Sequence, residues 1–231
     1  MGLTELLMHF NLTRQEATIY KTLFAEGELT GYEVAKLTGI SRSNTYTSLA
    51  GLVAKGAAYV IEGAATRYTP VPIEEFCENK IRQLHQIKQD LVKNMPVKKE
   101  DTEGYITITG EKNILDKIKN MLLEAKERVY LSVAQNTLTL ILPELKDGLS
   151  RGLKLVIITN HSFELMDATV FQAEKPPHQI RLIVDSTKAL TGDIPEGENA
   201  SCLFSKNKNL VELLKESLKN EITLIDIMKG K

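Results

Sequence analysis

The chain has 231 residues, of which 42% are hydrophobic and 26% charged, and its 29 basic and 30 acidic side chains give a formal net charge of −1. These values are typical of a soluble globular protein with two domains, and no apolar run approaches the roughly twenty residues needed to span a bilayer. Cys77 and Cys202 are too few for a disulfide framework, and neither has a Cys or His at metal-ligand spacing. The N-terminal segment lacks the features of a signal peptide, so we expect a cytoplasmic protein with reduced thiols and no metal or other cofactor.

Residues 12–39 have the pattern of two capped amphipathic helices. Thr13 and Glu16 form a capping box at the start of the first helix. Thr30 and Glu33 form a second capping box, and Gly39 stands where helices commonly end on a left-handed residue. The apolar residues that recur at helical spacing, and that we expect to face the core, are Ala17, Ile19, Tyr20, Leu23, Phe24, Val34 and Leu37.

A third helix is predicted from its N-cap, Ser41, to about Lys55, with an apolar face formed by Leu49, Leu52 and Val53. The other face of its first half carries short polar side chains and no acids. Short side chains let a helix approach base edges, and Arg or Asn there can pair with guanine, adenine or phosphate. The pattern indicates the second helix of a helix-turn-helix, although two capped helices joined at a glycine also occur in ordinary helical bundles.

The segment after this helix predicts a β-hairpin: residues 59–61 form a short strand, 62–65 a turn and 66–69 a returning strand. A hairpin at this place is the wing of a winged helix, and it brings Arg67 within reach of a phosphate or the minor groove. We therefore predict a winged-helix domain over residues 1–70 with double-stranded DNA as its partner; a winged helix that binds another protein is the alternative. The predicted DNA contacts are Thr30, Tyr32, Ser41, Arg42, Ser43, Asn44, Thr45, Tyr46, Thr47, Ser48, Lys55 and Arg67.

One winged helix of this composition should bind DNA weakly, because residues 1–70 contain six basic and six acidic side chains. The next segment, 71–96, predicts a long helix with apolar residues in about three heptads. This pattern favours a homodimer, parallel or antiparallel, whose two recognition helices reach adjacent turns of DNA; packing of the helix on its own domain is the alternative. The predicted interface residues are Ile73, Cys77, Ile81, Leu84, Ile87 and Leu91.

After a charged linker at residues 97–103, strands and helices alternate. Predicted strands cover residues 105–109, 129–133, 153–158, 180–184 and 201–204, and predicted helices cover 113–126, 138–150 and 210–228. Residues 163–177 are predicted as helix and loop. The alternation indicates an α/β domain over residues 104–231 with a parallel or mixed sheet, so the chain as a whole is predicted to be α+β.

The chain resembles the TrmB family of transcriptional regulators. The residues that carry the resemblance are an L-T-x-x-E-A-x-x-Y helix (Leu12, Thr13, Glu16, Ala17, Tyr20) and an I-S-R-S-x-x-Y segment (Ile40, Ser41, Arg42, Ser43, Tyr46). The resemblance implies sequence-specific DNA binding, a dimer formed by the helix after the wing, and a response to sugars. It also implies that the two tyrosines are structural or face phosphates. The resemblance rests on specific motifs over residues 10–95 and only on the arrangement of helices and strands beyond residue 104.

The C-terminal half also resembles the phospholipase D family, which implies a phospholipase-D-like sheet. Enzymes of that family carry H-x-K-x-x-x-x-D, with a histidine nucleophile and a phosphate-binding lysine. His178 and Asp185 keep the spacing, but Ile180 replaces the lysine, which removes a stabilising cation from a phosphoryl-transfer site. We therefore expect no catalytic residue; a dimeric phosphodiesterase or nuclease is the alternative.

A degraded catalytic domain commonly serves as a sensor, so we expect residues 104–231 to bind a small-molecule effector or else to reinforce the dimer. In open α/β sheets, ligands bind at the carboxyl ends of the strands. The polar residues that follow predicted strands, and that we predict to contact the effector, are Gln135, Asn160, His161 and Asp185.

Overall fold

The computed structural model describes residues 2–96, 104–161, 164–195 and 200–229. The chain divides into two compact units after residue 97. The helix that we treated as a separate segment, 71–96, therefore belongs to the first unit. The predicted linker at residues 97–103 lies outside the described residues.

The first unit is a winged helix with one additional helix at each end. Its three strands form an antiparallel sheet in the order β1-β3-β2, in which β2 and β3 are the predicted hairpin. The elements in chain order are α1 (Leu3–His9), α2 (Arg14–Glu26), β1 (Leu29–Thr30), α3 (Gly31–Thr38), α4 (Arg42–Ala54), β2 (Ala58–Ile61), β3 (Arg67–Pro70) and α5 (Ile73–Asn94).

The predicted helix ends form as the local sequence dictates. The hydroxyls of Thr13, Thr30 and Ser41 each accept a backbone N–H from the third residue of the following helix. Gly39 ends α3 in the left-handed conformation, with φ at 70°. These bonds satisfy amide groups that a helix end otherwise leaves without partners, so the start of each helix is fixed locally.

The first turn of helix α5 packs against the rest of the first unit. Phe76 is fully buried, and its ring centroid lies 6.0 Å from that of Tyr20 and 6.2 Å from that of Phe10. The Tyr20 hydroxyl donates a hydrogen bond of 2.6 Å to the Val71 carbonyl oxygen. Burial, with Cys77 and Glu74 nearby, raises the pKa of Tyr20 to about 12. Tyr20 is therefore a structural residue that joins α2 to the segment after the wing.

Two core predictions in this unit are wrong. Phe24 and Leu37 are more than half exposed, although both are large and apolar. In α2 the core-facing stripe runs through Ile19 and Leu23, and in α3 it runs through Val34 and Ala35. Successive residues of a helix point about 100° apart, so Phe24 and Leu37 lie at the edges of these stripes, where one side of each side chain stays open to solvent.

The second unit contains a seven-stranded mixed sheet in the order β4-β10-β9-β8-β5-β6-β7. Strands β5, β6 and β7 are parallel to one another, and every other pairing is antiparallel. The elements are β4 (Tyr105–Thr109), α6 (Glu111–Glu124), β5 (Arg128–Val133), α7 (Gln135–Leu140), α8 (Leu142–Ser150), β6 (Lys154–Thr159), β7 (Thr169–Gln172), β8 (Gln179–Val184), β9 (Lys188–Asp193), β10 (Ser201–Ser205) and α9 (Lys208–Lys229).

Helices cover both faces of this sheet. One face packs against α6 and α8 through a core that contains Leu131, Ile157 and Leu182, and the other packs against α9 through Ile158 and Ile183. The predicted α+β class is confirmed. Strands β7 and β9 were not predicted: β7 lies where we expected helix and loop, and β9 follows a turn at which residues 185 and 186 have φ near 50°.

Candidate nucleic-acid interface

Helix α4 turns its apolar face to the core of the first unit, and this fixes which polar side chains face outward. Leu49 and Leu52 are fully buried. Helical periodicity places Thr45 and Ser48 on the same face, and both are buried. The Thr45 hydroxyl donates to the carbonyl oxygen of Ser41 at 3.0 Å. Thr45 and Ser48 were predicted as DNA contacts, and that prediction is wrong because burial keeps both side chains from any ligand.

The outer face of α4 carries short polar side chains around one arginine. Arg42, Ser43, Asn44 and Thr47 are exposed, as is the cap residue, Ser41. The Thr47 hydroxyl donates to the Ser43 carbonyl oxygen at 3.0 Å, so its oxygen remains open as an acceptor. Because α4 contains no acidic residue, nothing on this helix competes with a nucleic acid for the guanidinium.

Two exposed tyrosines flank this arginine. The Arg42 guanidinium carbon lies 4.7 Å from the ring centroid of Tyr32, a cation–π contact that links α4 to α3. The ring of Tyr46 lies against Gly31, where an added Cβ would come within 2.5 Å of Tyr46 Cε1. We call Tyr32, Arg42 and Tyr46 the arginine–tyrosine patch. Helical spacing makes Arg42 and Tyr46 neighbours on α4, and the packing of α3 against α4 adds Tyr32.

Two of the basic side chains predicted to contact DNA, Lys55 and Arg67, interact with other residues of the first unit. Lys55 Nζ bonds to the buried Glu16 carboxylate at 2.6 Å. Burial alone would raise the pKa of Glu16, but Lys55 and the hydrogen bonds from Thr13 lower it below its ordinary value. Arg67 donates to the Glu28 carbonyl oxygen at 3.0 Å and lies 3.9 Å from Glu33. The ion pair with Glu16 holds Lys55 away from a phosphate, contrary to the prediction. Both contacts of Arg67 use Nη1 and its side chain is 43% exposed, so its contact with DNA stays a prediction.

Arg67 lies on the wing, as expected. It is the first residue of β3 and pairs with Ile61 and Thr30 at the turn end of the hairpin, and the turn over residues 62–66 contains no other basic side chain. The Thr30 hydroxyl donates to Glu33 at 2.9 Å within the cap of α3, so it serves the helix end. Apart from Arg67 on the wing, the exposed polar groups of the predicted interface lie on α4 and in the arginine–tyrosine patch.

Helix α5 divides into an inner and an outer part. Ile73 and Cys77 are partly buried against the core of the first unit, so only part of each side chain is open to the predicted dimer interface. Burial raises the pKa of the Cys77 thiol, with Glu74 and Glu78 adding to the effect. From residue 81 onward the stripe is open: Leu84 is 59% and Leu91 58% exposed. The same stripe includes Ile81 and Ile87, which are also exposed.

The predicted effector residues do not form one group. The Gln135 N–H donates to Asn160 Oδ1 at 3.0 Å, which joins the ends of β5 and β6, and His161 follows as an exposed residue. Asp185 instead accepts three backbone N–H bonds from residues 126–128, at 2.9 to 3.0 Å. Because β8 is antiparallel to β5, Asp185 lies at the opposite end of the sheet. Its assignment to the effector site is wrong.

The phospholipase-D-like residues are also dispersed. Ile180 is fully buried in the core that α6 and α8 cover. His178 is exposed before β8, and Asp185 follows its other end, about 24 Å away for seven extended residues. Within the described residues, no group of three His, Cys, Asp or Glu side chains could hold a metal ion. The same part of the chain contains no helix that is both long and apolar enough to cross a bilayer.

Comparison with known proteins identifies the family. Residues 6–74 match the model "Sugar-specific transcriptional regulator TrmB", and residues 104–218 match "Transcriptional regulator TrmB, EBD N-terminal subdomain". The chain is 27% identical to YrhO of Bacillus subtilis (strain 168), over 99% of this chain and 87% of that protein. It is 28% identical to the DNA-binding HTH-type transcriptional repressor TrmBL2 of Thermococcus kodakarensis, over 69% of this chain and 67% of that protein.

Among solved structures, that of TrmBL2, an archaeal chromatin protein, is 22% identical and has a TM-score of 0.46, covering 96% of this chain and 97% of that chain. The two family models match separate parts of the chain, one over the winged helix and one over most of the second unit. Together with the capped helices and the hairpin, these matches establish that the chain belongs to the TrmB family of transcriptional regulators.

Proposed function

We propose that this transcriptional regulator binds double-stranded DNA by inserting the outer face of α4 into the major groove. The observation that carries the proposal is Arg42, an exposed guanidinium on a helix without acids, held over the ring of Tyr32. Arginine recognises guanine through two hydrogen bonds, and the neighbouring Asn44 has the donor and acceptor that adenine requires. Ser43 and the tyrosine hydroxyls suit phosphate oxygens.

We propose that the protein acts as a homodimer formed through the outer part of α5. Four exposed apolar residues at heptad-like spacing support this: Ile81, Leu84, Ile87 and Leu91. Three of them also line a groove beside Phe10, at the end of α1. A dimer compensates for the few free cations on each copy, because two recognition helices bind one site together.

The test is DNA binding by the wild type and by two matched variants. Purified protein first enriches fragments of genomic DNA at two salt concentrations, and sequencing of these fragments identifies the site. We expect Arg42→Ala to weaken binding to that site by about 1–3 kcal/mol, or about 5- to 150-fold. Arg82→Ala removes the same charge from the exposed surface of α5 and should leave the affinity within about twofold.

The proposal fails if Arg42→Ala, folded and in the same oligomeric state, binds as tightly as the wild type. Equal losses in both variants would indicate a general charge effect rather than a contact made by α4. Binding that shows no enriched site and disappears with salt would favour a winged helix that contacts protein.

We further propose that residues 104–231 sense a small-molecule effector and have no phosphodiesterase activity. The match of residues 104–218 to the EBD N-terminal subdomain supports sensing. The match of residues 6–74 to "Sugar-specific transcriptional regulator TrmB" makes sugars the first candidates. The burial of Ile180, at the position of the phosphate-binding lysine, argues against catalysis. Absence of any effect of sugars on thermal stability and on DNA affinity would count against sensing by sugars, and turnover of bis(p-nitrophenyl) phosphate would count against the non-enzymatic assignment.

A further inference from the structure

Two cations share one carboxylate on the face of the second unit that α9 covers. Lys175 forms an ion pair with Glu221, and Arg181 Nη2 donates to the other oxygen of that carboxylate at 2.7 Å. The Lys175 side chain is only 3% exposed, and those of Arg181 and Glu221 are 16% and 22% exposed. We call these three residues the Lys–Arg–Glu cluster. It carries one positive charge more than its carboxylate neutralises.

The hydrogen bonds of Arg181 leave part of its guanidinium unsatisfied. Its two terminal nitrogens donate to the hydroxyls of Ser217 at 3.2 Å and Ser132 at 3.4 Å, in addition to Glu221. Its Nε is buried and has no hydrogen-bond partner among the described residues. A buried charged donor without a partner costs stability, and arginine binds planar or tetrahedral oxyanions through such paired donors. The cluster thus has both a surplus charge and an unused donor.

The position of the cluster agrees with a ligand site. Ser132 lies near the carboxyl end of β5, and Lys175 follows the end of β7. Arg181 lies near the start of β8, which is antiparallel to β5, so it reaches the same end of the sheet. The hydrogen bond between Gln135 and Asn160 is at this end too. Ligands of open α/β sheets bind at the carboxyl ends of parallel strands.

We propose that Lys175 and Arg181 bind the phosphate group of a small phosphorylated metabolite, or free inorganic phosphate, and that Glu221 occupies the anion position when the ligand is absent. The proposal rests on the proposed sensing role of residues 104–231 and names the ligand class. A phosphate group near pH 7 carries up to two negative charges, which match the two cations, and its oxygens can accept from Arg181 Nε and Lys175 Nζ. An uncharged sugar offers no comparable neutralisation.

The carboxylate that phosphate would displace, that of Glu221, belongs to α9, so ligand binding would act on this helix. Glu221 and Ser217 lie one turn apart on α9, and both bond to Arg181 of β8. If phosphate takes the two cations, α9 loses its ion pairs to β8 and to the segment that contains Lys175. Ligand occupancy would therefore change how α9 packs on the sheet, with no other contact required to transmit the signal.

The test measures the thermal stability and the calorimetric affinity of the full chain with inorganic phosphate, glucose 6-phosphate and glucose, at constant ionic strength set with chloride. We expect one or both phosphate compounds to bind and to raise the unfolding temperature, and glucose to have no effect. Binding of inorganic phosphate alone identifies the free ion, and tighter binding of glucose 6-phosphate identifies a phosphorylated metabolite. Arg181→Gln and Lys175→Gln should each weaken phosphate binding about ten- to hundredfold, because each removes charge-assisted hydrogen bonds.

Two further variants separate ligand binding from a structural role. Glu221→Gln removes the competing carboxylate and should tighten phosphate binding, whereas a structural ion pair alone predicts only a loss of stability. Lys215→Gln removes a half-buried charge of α9 that pairs with Glu212 and not with the cluster, and it should leave phosphate affinity unchanged. The inference is overturned if neither phosphate compound stabilises the wild type or Glu221→Gln beyond chloride, or if Lys215→Gln loses as much affinity as Arg181→Gln. An effect of glucose alone on stability and DNA affinity would overturn this inference while leaving the sensing role intact.

Discussion

Replacing Glu16 with alanine should destabilise the first unit by about 2–3 kcal/mol, because one carboxylate serves two helices. Its oxygen accepts the Thr13 N–H at 2.6 Å in the capping box of α2 and binds Lys55 at the end of α4, also at 2.6 Å. Hydrogen bonds to charged groups contribute about 1.5–3 kcal/mol each. The Lys55 side chain is 25% exposed and can regain water, which reduces the total below the sum of two such bonds.

The assay is urea denaturation of the full-length chain followed by circular dichroism. Glu16→Gln should cost less than Glu16→Ala, since its amide oxygen still accepts the Thr13 N–H while the ion pair is lost. Glu5 provides the matched control, because it makes the equivalent capping bond to Gly2, at 2.9 Å, at the exposed start of α1. We expect Glu5→Ala to cost less than about 0.5 kcal/mol. Equal effects of Glu5→Ala and Glu16→Ala would refute the reasoning.

The same carboxylate predicts a pH dependence. Burial acts to raise the pKa of Glu16, but Lys55 and Thr13 outweigh it and leave the pKa below the ordinary value of 4.5. A depressed carboxyl pKa stabilises the folded state fully above 4.5, and this stabilisation is lost as the pH falls through the folded-state pKa. The difference in stability between the wild type and Glu16→Gln should therefore shrink in acid.

Three further substitutions test other parts of the structure. Gly192→Ala should destabilise the second unit by about 1–3 kcal/mol in chemical denaturation, because the new Cβ would lie 2.3 Å from a backbone oxygen of β10; an unchanged midpoint would contradict this. Leu84→Glu should convert the proposed dimer to a monomer in analytical ultracentrifugation, whereas a dimeric mass in both wild type and variant would exclude the outer part of α5 as the interface. Tyr32→Leu should weaken DNA binding about two- to fivefold in a fluorescence titration, since it removes a cation–π contact of roughly 0.5–1 kcal/mol with Arg42; unchanged affinity would show that the contact does not position the arginine.

Local chemistry determined much of the first unit in advance. An N-cap side chain bonds to a residue three positions further on, so Thr13, Thr30 and Ser41 mark the starts of their helices without any tertiary contact. The left-handed end of α3 at Gly39 and the hairpin of β2 and β3 are similarly local. The α+β class followed from the order of elements along the chain: helices and a hairpin in the first unit, then alternating strands and helices in the second.

The type of a side chain did not reveal which residue it would bond to in the folded protein. Thr45 is polar, yet it lies on the buried face of α4 and bonds to the backbone. Lys55 lies 39 residues from Glu16, and Asp185 lies nearly 60 residues from the amides that it accepts. Strands β7 and β9 depend on pairings across the sheet, which no local pattern specifies.

The sequence by itself therefore determined where helices α2, α3 and α4 begin, which family the chain resembles, and that an arginine-bearing polar helix follows the turn; it did not reveal α1. Only the tertiary structure decided which cations remain free, which part of α5 is exposed, and that Lys175 and Arg181 meet at one carboxylate. The physical reason is range: caps and periodicity act within a few residues, whereas burial and ion pairing join residues that are distant in the chain and are fixed only when the elements pack.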